Sequence, residues 1–193
     1  MHRSAHCNII LFMTEVEVKA KVSSFAEIQS ELTELGCVFS APLTQKDRIY
    51  LPNGIEFPDK TKGTLFARIR NSNGRYIFTL KKQLDTEFEN IEHELVIDSP
   101  EQANEILKLL DFHEVLNVSK KRIKCNYDGM EICLDDIEGL GSFVEVEKMT
   151  NEVDTSKIKK ELFEFLETLG IKKENQVLKG YATLIYELNN KGF

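Results

Sequence analysis

Residues 15–22 read Glu15-Val16-Glu17-Val18-Lys19-Ala20-Lys21-Val22. Charged and apolar residues alternate without a break, which is the period-2 signature of a β-strand with two unlike faces. Glu15, Glu17 and Lys19 share one face, and Val16, Val18 and Ala20 share the other. The same alternation returns along the chain. Arg68 and Arg70 share a face, as do Thr79 and Lys81, Glu92 and Glu94, Lys120, Arg122 and Lys124, and Glu145 and Glu147.

Two arrangements satisfy this pattern. In one, the charged faces are solvated and the apolar faces form a core. In the other, the apolar faces lie outward beneath helices and the charged faces line the inside of a barrel. Enclosing six or more cations and as many carboxylates is costly without a bound ligand. A polyanion would answer the Lys and Arg residues, and a divalent metal would answer the carboxylates. A triphosphate with Mg²⁺ or Mn²⁺ would answer both, since these hard ions take oxygen ligands. Composition does not choose between the two arrangements.

The rest of the chain supplies helices and turns. Ser24-x-x-Glu27 offers a capping box, followed by a helical stripe of Phe25, Ile28, Leu32 and Leu35 that stops at Gly36. Strands are expected at 45–51, 65–70, 75–82, 92–97, 115–127, 130–134 and 143–148. Asn71-Ser72-Asn73-Gly74 and Asp128-Gly129 mark hairpin turns, and residues 52–63 read as a loop. Helices are expected from Ser99-Pro100-Glu101, over 156–169 with Ile158, Leu162, Phe165 and Leu169, and from Tyr181 to Leu188. Phe163, Phe165 and Leu166 make the 156–169 helix apolar on more than one side, which suits either a homodimer face or deep packing. Acidic strands lead into amphipathic helices three times, a weak internal repeat. Mostly antiparallel strands with covering helices imply an α+β fold, and at least seven strands favour a closed barrel.

The 193 residues carry 25 Lys and Arg against 32 Asp and Glu, a net charge of −7. Such a chain is a poor bulk binder of nucleic acid or anionic lipid, so neither nucleic acid nor membrane is expected as a partner. The longest apolar run, Ile9 to Met13, is too short to span a bilayer. Residues 1–13 are expected to form a disordered leader, or the start lies at Met13, and residues 14–190 form one domain. The chain is read as cytoplasmic, and its four cysteines as reduced. Cys125 and Cys133 flank a turn and could be neighbours across a hairpin. His93 and His113 stand singly, and His2 and His6 lie in the leader.

The motifs, taken in order, resemble the CYTH superfamily, the triphosphate tunnel metalloenzymes. Glu15-x-Glu17-x-Lys19 resembles the family's E-x-E-x-K strand, Lys46-Asp47-Arg48-Ile49-Tyr50 its K-D-x-x-Y strand, Ala67-Arg68-Ile69-Arg70 its L-R-x-R strand and Thr79-Leu80-Lys81 its T-x-K strand. Glu92-His93-Glu94, Val118-Ser119-Lys120-Lys121-Arg122 and the run Leu134 to Glu147 continue the match, which covers about residues 14–188. The resemblance implies an eight-stranded antiparallel barrel with helices outside and charged faces inward. It is most like the class IV adenylyl cyclase branch, which converts ATP to cyclic AMP and pyrophosphate. A triphosphatase acting on tripolyphosphate, thiamine triphosphate or a nucleoside triphosphate is the alternative, and a non-catalytic polyphosphate or nucleotide binder a third.

Carried over, Glu15, Glu17 and Glu145 would hold Mg²⁺ or Mn²⁺, with Glu147 assisting. Lys19, Arg68, Arg70, Lys81, Lys120 and Arg122 would grip the triphosphate. Asp135, Lys81 and Arg122 are the catalytic candidates, Asp135 orienting either the attacking group or a basic residue. Glu92 and Glu94 form a second acidic pair of open role. The family's members are dimers or monomers, so a homodimer is one outcome.

Overall fold

The computed structural model describes residues 13–152 and 154–190. The leader expected at the N-terminus, with His2, His6 and Cys7, lies outside the described residues except for Met13.

Eight strands close into one antiparallel barrel in the order β1-β5-β4-β3-β2-β6-β7-β8. They are β1 (Thr14–Lys21), β2 (Leu43–Pro52), β3 (Leu65–Ser72), β4 (Arg75–Gln83), β5 (Glu89–Ile97), β6 (Phe112–Tyr127), β7 (Met130–Ile137) and β8 (Gly141–Thr150). Four α-helices accompany them: α1 (Ala26–Glu34), α2 (Pro100–Leu109), α3 (Ser156–Thr168) and α4 (Tyr181–Asn190). The strands extend beyond the alternating cores that announced them, because ladder hydrogen bonds continue into residues whose side chains carry no pattern. The hairpin turns form at Asn73-Gly74 and Asp128-Gly129, all four residues with positive φ, as a two-residue type I′ connection requires.

The charged faces point inward. Val16, Val18 and Ala20 are fully buried on the outside of β1, packed with Ile28 and Leu32 of α1 and Ile158, Leu162 and Leu166 of α3. Phe163 and Phe165 of α3 pack against this same cluster, and Phe165 stacks on Tyr127 at 5.6 Å. The apolar breadth of α3 is thereby spent on the barrel wall. A second outer cluster sets α2, through Ala103 and Leu107, over Tyr50, Ala67 and Ile69.

The capping box at Ser24 does not form as the spacing suggests. The helix begins one residue later, Phe25 takes the N-cap position, and Ser24 Oγ accepts from the Ala26 amide at 3.2 Å. Cys125 and Cys133 lie on opposite faces of the β6–β7 hairpin. Cys125 belongs to the outer cluster near Cys37, while Cys133 is opposite Lys124 on the inner side. One residue of register separates them, and in a strand that reverses the face.

Helix α4 closes one end of the barrel. Tyr181 and Ile185 pack against Ile49, Val118, Ile137 and Phe143. These four are inward residues, in phase with Asp47, Lys120, Asp135 and Glu145. No described helix is long and apolar enough to cross a membrane.

Candidate active site

The barrel encloses a cavity of about 650 Å³. Each strand brings inner-face charges to it directly because side chains alternate with period 2. Glu15, Glu17, Lys19, Arg68, Arg70, Lys81, Glu92, Glu94, Lys120, Arg122, Glu145 and Glu147 all line it. Asp135 does not. It points inward but is covered, with no exposed surface, and accepts from Arg122 Nε at 2.6 Å, from Arg122 Nη2 at 2.5 Å and from Lys120 Nζ at 3.1 Å.

The β1–β8 register sorts the acidic residues. Glu17 stands opposite Glu147, and Lys19 opposite Glu145. Directly opposed residues on one face bring their Cβ atoms to about 5 Å. Glu15, Glu17 and Glu147 therefore form one cluster, each offering a carboxylate oxygen within 4.8 Å of the others. Glu145 stands outside that cluster, 2.8 Å from Arg122 Nη2 and 3.2 Å from Lys19 Nζ, an ammonium that also lies 2.6 Å from Glu17. The structure thus groups Glu147, rather than Glu145, with the first-strand pair.

Protonation follows the same division. Burial, joined by the charge of Glu145, pushes the Glu17 carboxyl up to about 7 despite the nearby Lys19 ammonium. Burial and the charges of Glu15 and Glu145 push Glu147 well above the usual carboxylate range. Burial opposes ionisation of Glu145 as well, but Arg122 and Lys19 override it and hold its carboxyl well below that range. Three crowded carboxylates, two of them held back from ionising by burial and by neighbouring negative charge, are a donor set that fits a hard divalent cation.

Across the cavity, Lys81 bridges two acids. Its ammonium lies 2.5 Å from Glu15 Oε2 and in close contact with Glu92. Glu15 is desolvated, yet the Lys81 charge holds its pKa at about 2. Glu92 is pushed up to about 8, by burial first, against the opposing pull of Lys81. The two acids share one cation, so one keeps its proton while the other ionises. Arg68 reaches Glu92 at 3.3 Å and Glu94 at 3.0 Å, and Thr79 Oγ1 donates to Glu94 at 2.8 Å. Glu92 and Glu94 therefore ground Arg68 and Lys81 rather than standing as a separate pair. Arg70 makes a two-pronged contact with Asp47, 2.7 Å at each prong. Such forks hold a guanidinium in one plane.

Three groups escaped the sequence reading. Lys60, on the loop after β2, reaches the cavity and stands 4.9 Å from the Phe66 ring centroid. Glu87, between β4 and β5, accepts from Lys60 Nζ at 3.2 Å, the Gly180 amide at 3.1 Å and Thr183 Oγ1 at 2.9 Å. It ties the start of α4 to the barrel mouth. Tyr181 brings an aromatic ring to the interior from α4. Loop and helix residues show no period-2 pattern, so no local signal marks these positions.

Comparison with known proteins agrees with this architecture. The CYTH domain model matches residues 13–181. A Methanocaldococcus jannaschii protein provisionally named an adenylate cyclase is 34% identical over 175 residues, which is 89% of this chain and 98% of that one. The PH1819 protein of Pyrococcus horikoshii OT3 superposes with a TM-score of 0.75 at 30% identity, covering 90% of this chain and 99% of that one. HpAC1 of Hippeastrum, a provisionally named adenylyl cyclase described as having a dominant triphosphatase activity, shares the fold with a TM-score of 0.59. It is 16% identical, with 92% of this chain and 95% of that one covered. From the family match along most of its length and the barrel with inward charges, the chain belongs to the CYTH domain family.

Proposed function

We propose that this chain is a divalent-metal-dependent enzyme that attacks a phosphorus atom of a triphosphate bound inside the barrel. The observation that carries the reading is the meeting, in one cavity, of the Glu15, Glu17 and Glu147 cluster with cations from four strands. Phosphoryl transfer needs little covalent help from protein and much positioning and charge neutralisation. Arg68, Arg70 and Arg122 would donate to phosphoryl oxygens from the guanidinium N–H groups that the acidic partners leave unused, and Lys19, Lys81 and Lys120 would act as point charges. Asp135 would hold Arg122 and Lys120 in place, a positioning role. Glu15, Glu17 and Glu147 would hold Mg²⁺ or Mn²⁺. When bound, such an ion neutralises phosphate charge and lowers the pKa of a coordinated nucleophile.

Two reactions fit this machinery. Cyclisation of ATP to cyclic AMP and pyrophosphate is supported by the name of the Methanocaldococcus jannaschii relative. Hydrolysis of a triphosphate is the second reading, and one feature of the interior favours it. The aromatic rings lining the cavity already face ammonium groups: Phe66 faces Lys60, Phe88 faces Lys19, and Tyr181 faces Lys19 and Lys120. Each cavity-lining ring among the described residues thus already has an ammonium over it, which competes with stacking of a base. HpAC1, of the same fold, is a precedent for that activity under a cyclase name.

Incubation with ATP or tripolyphosphate and Mg²⁺ or Mn²⁺, with separation of the products, tests the proposal. Cyclic AMP supports cyclisation, and orthophosphate supports hydrolysis. Metal-dependent binding of either compound without turnover would refute an enzymatic role.

A further inference from the structure

Tyr181 opens α4 and turns its ring into the closed end of the cavity. The ring is held firmly. Phe143 meets it edge-on, with centroids 5.3 Å apart and planes at 71°. The Lys19 ammonium sits 3.9 Å from its centroid and that of Lys120 at 5.1 Å. A cation at such distances is attracted to the face of the ring, more strongly where water is excluded. The Tyr181 ring is thus in contact with two of the cavity's cations.

The hydroxyl is different. It is buried, and it has no hydrogen-bond partner among the described residues. A buried phenol O–H normally finds an acceptor, because leaving the donor unmade costs its full desolvation. The nearby acceptors are committed elsewhere: Asp135 to Arg122 and Lys120, and Glu145 to Arg122 and Lys19. An unused donor on a cavity-lining residue whose ring carries two ammonium groups is complementary to an anion and not to a metal ion. Burial, together with the charges of Glu145 and Asp135, keeps this phenol protonated well beyond neutral pH, so it stays a donor.

We propose that Tyr181 is a binding residue for the polyphosphate substrate, its hydroxyl donating a hydrogen bond to a phosphoryl oxygen seated against Lys19 and Lys120. This rests on the reading of the cavity as a triphosphate site. It gives α4 a second purpose. The helix both stops the end of the barrel and completes recognition of the anion, and the Glu87 contacts to Gly180 and Thr183 fix where the phenol stands.

The test uses the whole chain and two variants, with tripolyphosphate binding followed by calorimetry and folding by thermal midpoint. Tyr181→Phe keeps the ring, the Phe143 contact and both cation contacts, and removes only the hydroxyl. It is expected to bind tripolyphosphate about tenfold more weakly. Its ligand-free midpoint should be unchanged or higher, since an unpartnered buried polar group is lost. Tyr181→Leu also removes the ring and should bind more weakly still. Wild-type affinity retained by Tyr181→Phe would overturn the inference while leaving the triphosphate reading intact. A lowered ligand-free midpoint with affinity unchanged would show that the hydroxyl serves the fold instead. Failure of the wild-type chain to bind tripolyphosphate at all would overturn both readings.

Discussion

Arg122 and Asp135 stand directly opposite one another across the β6–β7 ladder and are joined by two parallel hydrogen bonds, at 2.6 and 2.5 Å. The same guanidinium reaches on to Glu145 at 2.8 Å. One buried aspartate thus fixes the plane of an arginine whose remaining donors face the cavity. Removing a partner from such a buried pair leaves a charge with neither water nor a counter-ion, which is far costlier than losing the hydrogen bonds themselves.

Asp135→Asn keeps the shape and removes the charge. The expected loss of folding stability is about 3 kcal/mol, measured by chemical denaturation. Metal-dependent triphosphate turnover should fall at least about tenfold, because Arg122 and Lys120 lose their common anchor. Full turnover in this variant would refute the positioning role of Asp135.

The two glutamates of β8 should respond in opposite ways. Glu147 crowds Glu15 and Glu17, whereas Glu145 is enclosed by Arg122 and Lys19. Glu147→Gln relieves like-charge repulsion, so its metal-free thermal midpoint should stay level or rise while the midpoint shift produced by Mg²⁺ disappears. Glu145→Gln leaves two cations less compensated, so its metal-free midpoint should drop. A Mg²⁺ shift abolished by Glu145→Gln but retained by Glu147→Gln would reverse the assignment.

The pH dependence of the metal-free protein follows from the raised carboxyls. Glu17 is pushed to about 7 and Glu92 to about 8, against an ordinary value of 4.5, with burial the first cause in each. A carboxyl with a higher pKa folded than unfolded holds its proton better in the folded state. Its contribution is full below its unfolded value and is lost as pH rises through its folded value. With a chelator present, the thermal midpoint should therefore fall between about pH 4.5 and about pH 8. Mg²⁺ competes with the proton on Glu17, so its stabilising shift should grow as pH rises to about 7. A metal-free midpoint that rises steadily to pH 8 would contradict the raised values.

The outer core can be cut without touching the interior. Leu162 of α3 is fully buried against the β1 wall. Leu162→Ala should cost about 2 to 5 kcal/mol in denaturation. The tripolyphosphate affinity of the fraction that remains folded should stay within about twofold of wild type. A large loss of affinity at unchanged stability would mean that α3 acts on the site directly.

Strand alternation and turn chemistry were legible in the chain alone. Val16, Val18 and Ala20 against Glu15, Glu17 and Lys19 announce two unlike faces, and Asn73-Gly74 and Asp128-Gly129 announce hairpins, because both effects are local. The ordered motifs also carried the family resemblance, and with it the barrel. Which face turns inward is not a local property. It was decided by α1 and α3, which bury the apolar face from outside and leave the charges only the interior.

The site divides in the same way. The strand-borne acids and bases could be named from their spacing, but spacing treats Glu145 and Glu147 alike. The β1–β8 register separates them, setting one opposite Lys19 and the other opposite Glu17. Lys60, Glu87 and Tyr181 come from two loops and the last helix, brought together only when the barrel closes and α4 seats on its end. The sequence by itself determined which residues could be charged partners. The tertiary structure decided which of them meet, because barrel closure and register set the distances on which Coulomb attraction and hydrogen bonding depend.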